Sequence, residues 1–410
     1  MATFLLVIIY LAFISLGLPD SLLGAAWPVM QSDFNAPLET AGLVFMTVSG
    51  GTIISSLVSG KLLKRFGTGK ITFVSTLMTA GALLGFYFAP GIIWLFLFAI
   101  PLGLGAGAID AGLNDYVATH YKAHHMSWLH SFWGVGATLG PVIMAQYISG
   151  QHSWSSGYFA ISGVQFVLAF ILLFTLPLWN KGPENSKIAL NEVPEDPKGV
   201  PYKDDTENLK PLQVKGVKLA LISFLFYCGV EATMGLWGSS FLVKVKDLPA
   251  AVAAQWVSLY YAGITIGRFI TGFITFTMNN LALIRAGQVI ALAGAALLFL
   301  PLPPTFSLIG FIMVGFGLAP IFPSMLHDTP TRFGKKHSQT IMGYQMAVAY
   351  TGSTFMPPLL GFIASQTTIA IFPFCIVVFV AVMFLSSEKL NSLLKKEQIV
   401  NRKETNSTVW

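Results

Sequence analysis

The sequence predicts an all-α polytopic membrane protein whose twelve transmembrane helices form two pseudo-symmetric six-helix halves. Three observations carry that prediction: apolar runs of spanning length, charge confined to the stretches between them, and a repeat that maps one half onto the other. Of the 410 residues, 54% are hydrophobic and 10% charged, and mean hydropathy is +0.69. Soluble domains carry about 25% charged residues, so a water-soluble globular fold is excluded. Apolar runs long enough to cross a ~30 Å hydrocarbon core as a helix recur at 3–27, 38–60, 71–89, 92–118, 128–149, 157–179, 217–243, 250–274, 281–300, 305–326, 340–364 and 367–387.

The connections alternate in charge. QSDFNAP (31–37), after the first run, has no Lys or Arg, whereas KLLKRFGTGK (61–70), after the second, is basic. The stretch 181–218 holds seven Lys against seven Asp or Glu. LPPT (302–305) and SQTT (365–368) are again free of Lys and Arg, while RFGKK (332–336) and the tail from Lys389 are basic. By the positive-inside rule both termini are cytoplasmic. Lys244 and Lys246, after the seventh run, are the exception. The first run has no basic residue before it and is interrupted by Gly17, Pro19 and Asp20, which speaks against a cleaved signal peptide. The net charge of +6 therefore belongs to membrane-flanking loops, and nucleic acid is not an expected partner. Cys228 and Cys375 fall inside runs, where they read as packing residues with no disulfide.

Pro183, Pro194, Pro197 and Pro201 punctuate the polar stretch, which has the composition of a solvated linker. The expected organisation is an N-terminal half (1–180), a cytoplasmic linker (181–216), a C-terminal half (217–388) and a cytoplasmic tail (389–410). The halves match at a fixed offset. Gly51 and Gly60 fall on Gly263 and Gly272, 212 residues later, and GLGAGAI (103–109) falls on GFGLAPI (315–321). Gly17 falls on Gly229 at the same spacing, which brings Asp20 within one residue of Glu231. GATLGP (136–141) meets GSTFMP (352–357) at 216. Parallel repeats of this kind are a transporter architecture, with the ligand site near the midplane of their interface.

GKLLKRFGTGK (60–70) resembles the Gly-x-Leu-x-Asp-Arg-x-Gly-Arg-Arg loop between helices two and three of the major facilitator superfamily. Gly60, Leu62, Arg65, Gly67 and Lys70 fit, and Lys64 replaces the Asp. Gly60, Arg65 and Gly67 are thereby implied to form a gating loop, one that has lost an ion-pair partner. Four further segments are similar to the fucose/galactose/glucose:proton symporter branch. In LPDSLLGAAWPVM (18–30), Asp20 matches a functional Asp of the first helix, and Pro19 stands in place of an Asn. In GLGAGAIDAGLNDY (103–116), Asp110 and Asn114 match a Glu and an Asn of the fourth. LHSFWGVGATLGP (129–141) puts His130 and Trp133 at Gln and Asn positions of the fifth. YCGVEATMGLWGSSFL (227–242) puts Glu231 at a polar position of the seventh. The resemblance implies the major facilitator fold, with helices one, four, seven and ten around a central cavity.

A carboxylate near the middle of a membrane helix costs about 2.5–3.5 kcal/mol on insertion scales and normally faces the bundle interior or water. Asp20, Asp110 and Glu231 are accordingly the expected proton-coupling groups. Asn114 lies one turn from Asp110 on the same face, and its amide suits a hydroxylated ligand. Asp115 faces elsewhere and reads as part of a helix-end network. Asn114, His130, Trp133, Glu231, Trp237, Gln345 and Tyr350 are the expected substrate-binding residues, with the two tryptophans packing on the C–H face of a sugar ring. Arg268 reads as structural or gating. Trp27, Trp154 and Trp256, near run ends, read as interfacial anchors. His120, His124 and His125 read as surface groups, since their spacing matches no zinc signature and no metal site is expected.

No Gly-x-Ser-x-Gly, His-Glu-x-x-His or Walker loop occurs, and no enzymatic activity is expected. The expected function is proton-coupled uptake of a monosaccharide, a hexose, by a plasma-membrane monomer working by alternating access. The alternatives are proton-driven efflux of drugs or amphipathic metabolites, and sodium-coupled sugar uptake. The coupling ion is the only cofactor expected, with Na⁺ left open beside H⁺.

Overall fold

The computed structural model describes residues 2–121, 123–150, 153–179, 211–275 and 277–407. These form helices and short connections, with no strand among the described residues. The first half comprises α1 (Ala2–Asp20) continued by α2 (Leu22–Asp33), then α3 (Thr40–Phe66), α4 (Thr68–Tyr87), α5 (Ile92–His120), α6 (Ala123–Ser149) and α7 (Trp154–Trp179). The second comprises α8 (Val217–Lys246), α9 (Ala250–Ile274), α10 (Asn280–Phe299), α11 (Pro304–Leu318) continued by α12 (Ile321–His327), the short α13 (Thr329–Phe333), α14 (Lys335–Gln366) and α15 (Phe372–Ser407). Eleven helical stretches among the described residues are long and apolar enough to cross a membrane. The expected fifth span, α6, is as long but is diluted by His124, His125 and His130.

Local chemistry explains the irregular elements. Pro19 has no N–H to give the carbonyl of Ser15, one turn earlier. Gln165 Nε2 donates to that carbonyl instead, at 2.9 Å, and Thr79 donates to the same glutamine's Oε1. This buried polar seam ties α1, α4 and α7 together where the first span is interrupted. Gly67 ends α3 at φ 81°, a left-handed conformation that glycine adopts without strain.

The repeat read from the sequence has a packing counterpart. Any side chain on Gly103 would strike the carbonyl of Val48, and any on Gly315 would strike that of Tyr260; both contacts are related by the 212-residue offset. Gly136 against Ile14 and Gly352 against Leu225 form a second equivalent pair. Without a hydrophobic force between helices in lipid, small residues that admit close backbone approach set such interfaces.

The core is continuous across the halves at one end only. There Trp27, Leu38 and Ala41 share a cluster with Phe241, Leu360 and Ile369, Gly24 abuts Gly235, and Gly42 abuts Pro358. Lys244 Nζ donates to Gln31 Oε1 across the halves at 2.6 Å. Toward the other end the core divides into one cluster within the first half, around Ile9, Leu113 and Leu172, and one within the second, around Val217, Phe333 and Leu390. Gly60 and Gly343 face open space there. The bundle is closed at the end bearing 34–39 and 366–371, and open at the end bearing 61–70 and 328–336.

Several expectations are revised. Trp27 is 0% and Trp154 4% exposed, so both belong to the closed-end core, where Trp154 donates to Asp33 Oδ2 at 2.7 Å. The twelfth helix continues beyond the apolar run, through the expected tail, to Ser407, anchored by Leu390 and by the pair Arg285–Glu388 at 2.7 Å. Most of the expected linker, 181–210 of 181–216, lies outside the described residues. Lipid-facing surface is apolar, with Leu57 80% and Phe273 75% exposed.

Overpacking a tight interface costs about 1–3 kcal/mol. Gly103→Val and Gly315→Val should therefore each lower the melting temperature of the purified protein by several degrees. Gly163→Val, at a position with open space around it, should leave it within a degree. Equal melting temperatures for all three would contradict the packing account.

Candidate functional site

The site is built on the contact between α1 and α6. Gly17 admits the backbone of Trp133, Gly136 that of Ile14, and Gly140 that of Leu18. This close approach carries the Trp133 indole onto Asp20, whose Oδ2 accepts its Nε1–H at 2.7 Å. Asp20 is exposed although Leu18 and Leu22 beside it are buried, so its carboxyl opens onto the space between the halves.

On the other side of Trp133 stands Arg268 of α9, with its guanidinium carbon 5.6 Å from the indole centroid. Arg268 Nη2 lies 3.6 Å from Glu231 Oε1 and 3.5 Å from the Tyr227 hydroxyl. Tyr260 fixes the backbone of that segment by donating to the Glu231 carbonyl at 3.2 Å. Tyr261 meets Trp133 edge-on at 6.4 Å, and its hydroxyl fills the place a side chain on Gly235 would take. Asp20 lies within electrostatic reach of both Asp110 and Glu231. Asp110 is held by Asn114, whose Nδ2 donates to its Oδ1 at 2.9 Å and to its backbone carbonyl at 2.9 Å. The amide therefore spends its donors on Asp110 and keeps Oδ1 to offer a ligand. Tyr350 is within electrostatic reach of Asp110 and of Cys228. His130 is exposed, stands edge-on to Phe13 at 5.8 Å and is within electrostatic reach of Arg268.

Asp20, Asp110, Asn114, His130, Trp133, Glu231 and Tyr350 are thus assembled around one space between the halves. Trp237 and Gln345 are not. Trp237 is 0% exposed, donates to the Pro357 carbonyl at 2.7 Å and packs on Gly361, inside the second half. Gln345 is 1% exposed and accepts from the Thr329 hydroxyl at 3.0 Å, also inside that half. The indole N–H of Trp237 and the Oε1 of Gln345 are satisfied there, and both side chains are buried away from the space between the halves. Gly60, Arg65 and Gly67 are exposed at the open end, with the Arg65 guanidinium 5.2 Å from the ring centre of Phe66. Among the described residues no three His, Cys, Asp or Glu side chains stand together as a metal site.

Sequence reasoning assigned Arg268 no contact at the site, yet this residue joins its two sides. The signal was available: a guanidinium well inside a span is as expensive as a carboxylate and needs the same explanation. Tyr227 and Tyr261 gave no comparable signal, since tyrosines are common in such helices.

The Major Facilitator Superfamily profile matches residues 9–357. Bypass of stop codon protein 6 of Saccharomyces cerevisiae is 23% identical over 91% of this chain and 79% of its own length. The glucose/mannose transporter GlcP of Bacillus subtilis is 24% identical over 88% of each chain. The crystal structure of a bacterial homologue of the human lysosomal transporter Spinster, inward-facing and unoccupied, superposes with a TM-score of 0.72 at 13% identity. It covers 95% of this chain and 98% of its own, a likeness of fold.

Removing one partner of a largely buried ion pair strands the other charge. Arg268→Met should lower stability by about 3–5 kcal/mol, and Glu231→Gln added to it should restore part of that loss. Strictly additive melting shifts in the double-mutant cycle would show that the two charges do not interact.

Proposed function

The chain belongs to the Major Facilitator Superfamily, and from that premise we propose that it imports a neutral monosaccharide, a hexose, together with a proton. The observation that carries this reading is the composition of the space between the halves. Three carboxyls, Asp20, Asp110 and Glu231, stand with a single guanidinium that pairs with Glu231 alone, beside an amide and a wall of Trp133, Tyr261 and Tyr350. Apolar and aromatic walls with a few convergent polar groups are the general design of small-molecule sites. An excess of carboxyls repels an anionic substrate and accepts a proton. The relative named as a glucose/mannose transporter supports a hexose.

Protonation and sugar binding act on the same step. With the acids ionised, like charges within reach of one another oppose closure of the halves around the site. A proton on Asp110 or Asp20 removes one of them, and the sugar's hydroxyls supply partners for the rest. The carrier loaded with both from the other side then closes there and opens at the open end, and the emptied carrier returns with Arg268 free to pair with the acids, whereas the carrier holding sugar without a proton reorients poorly. The proton belongs to the coupled set of carboxyls rather than to one of them. In this reading the open end is cytoplasmic, the membrane is the plasma membrane, and the chain acts as a monomer.

Proteoliposomes containing the purified chain should accumulate labelled glucose or mannose under an imposed pH gradient and not under a Na⁺ gradient. Accumulation driven by Na⁺ alone would overturn proton coupling. Expulsion of amphipathic drugs with no effect of sugars would overturn the substrate. Asp110→Asn mimics the protonated acid, so sugar exchange across the membrane should persist while pH-driven accumulation falls at least tenfold. Wild-type accumulation in this variant would pass the role to Asp20 or Glu231. Orientation is checked separately in a Cys228→Ser, Cys375→Ser background. A cysteine at Ser153 should react with an impermeant maleimide from outside intact cells and one at Lys64 only after permeabilisation. The opposite pattern would invert the topology.

A further inference from the structure

Lys244 is one of two basic residues on the end of the bundle that is otherwise free of Lys and Arg, and the central site makes no use of it. Its neighbour Lys246 is accounted for, because its ammonium caps the Leu302 carbonyl at 3.2 Å. Lys244 instead lines a depression of ≈450 Å³ over the closed end, between the two halves, within the roughly 300–1,000 Å³ of small-molecule sites. Gln31 and Glu39 of the first half face Lys244, Ser365, Gln366 and Thr368 of the second across it. The buried side chains of Leu38, Ala364 and Ile369 form an apolar floor.

We propose that this depression is a second ligand site, for a small neutral polyhydroxylated molecule, at which the transported sugar is first captured on the closed side. The proposal rests on the sugar reading given above. One bond of the Lys244 ammonium is taken by Gln31 Oε1, at 2.6 Å, and an ammonium has three donors. Glu39 Oε2 is shut off from solvent with no hydrogen-bond partner, an arrangement that buried polar atoms avoid unless a donor arrives. Thr368 Oγ1 accepts from the Ala370 N–H at 3.2 Å and retains its own proton to donate. Ser365 donates to the Phe362 carbonyl at 2.8 Å and retains its lone pairs. Donors and acceptors thus ring an apolar floor, as a ligand with alternating hydroxyls and C–H faces requires. With one ammonium and one carboxylate, a simple anion meets Glu39 and a simple cation meets Lys244, so a neutral ligand is favoured.

The test uses the full chain in phosphatidylcholine nanodiscs, with glucose and mannose as probes. A single cysteine at Gln366, in the Cys228→Ser, Cys375→Ser background, is alkylated by a maleimide with and without sugar. Sugar should slow the reaction at least threefold, both with the central site intact and in Trp133→Ala. Lys244→Met and Glu39→Gln should abolish protection in the nanodiscs and, in proteoliposomes, raise the KM for uptake several-fold, leaving sugar binding at the central site unchanged. Saturable sugar binding with no protection at Gln366→Cys, or protection that vanishes in Trp133→Ala while the protein stays folded, overturns the second site alone. Protection that survives both Lys244→Met and Glu39→Gln overturns the assigned contacts and with them the proposal. A wild-type chain that binds neither sugar overturns this proposal together with the sugar reading.

Discussion

One indole ring holds the charges of both halves in register. Trp133 gives its N–H to Asp20 and its face to Arg268, and Arg268 in turn faces Glu231. Each of these charged groups would cost several kcal/mol if left alone in the membrane interior. Together they form a chain in which every charge has a partner of opposite sign or a donor. The ring contributes about 0.5–2 kcal/mol as a cation–π partner, depending on how dry it is. Its larger role is geometric: it stands between the acid of α1 and the ion pair of α8 and α9, so a change in one bears on the other. The glycines at 17, 136 and 140 exist to bring that ring close enough, since a β-carbon at any of them would push α1 away from α6.

The same economy governs the gate. At the closed end, glycines 24 and 42 let backbones touch, and a single apolar core runs through both halves. Toward the open end the halves keep separate cores, so they can part there without exposing a shared interior. Rigid halves that rock about a central charged site need this division: continuity where they are closed, independence where they are open. Interfaces packed in this way have discrete arrangements rather than a continuum, which is how a small electrostatic change becomes a change of access.

Much of this was legible in the chain. Run length and charge placement marked the helices, because a membrane leaves few other options for backbone polar groups. The 212-residue offset marked the glycines that prove to form the equivalent Gly51–Gly103 and Gly263–Gly315 contacts, though not that they meet one another. The acids stood out because ionisable groups in a span demand an explanation. Facing was not legible. In a span where nearly every position is apolar, periodicity says which residues share a face but not whether it looks to lipid, to a sister helix or to the cavity. Trp133 and Trp237 look alike as sequence, yet one lines the space between the halves and the other is sealed inside one of them. Gln345 was misplaced for the same reason, and Trp27 and Trp154 were read as interfacial when they are core. Arg268 was undervalued because its place in the repeat was given more weight than the cost of its charge.

The central claim is that proton and sugar meet at one set of carboxyls. It is tested most directly by counting protons as sugar binds. Glucose titrated calorimetrically into the purified protein, in two buffers of different ionisation enthalpy near pH 7.5, yields the number of protons exchanged. The account predicts net uptake on binding, reduced in Asp20→Asn and in Asp110→Asn. Saturable glucose binding with no proton exchange across pH 5 to 9 would contradict it.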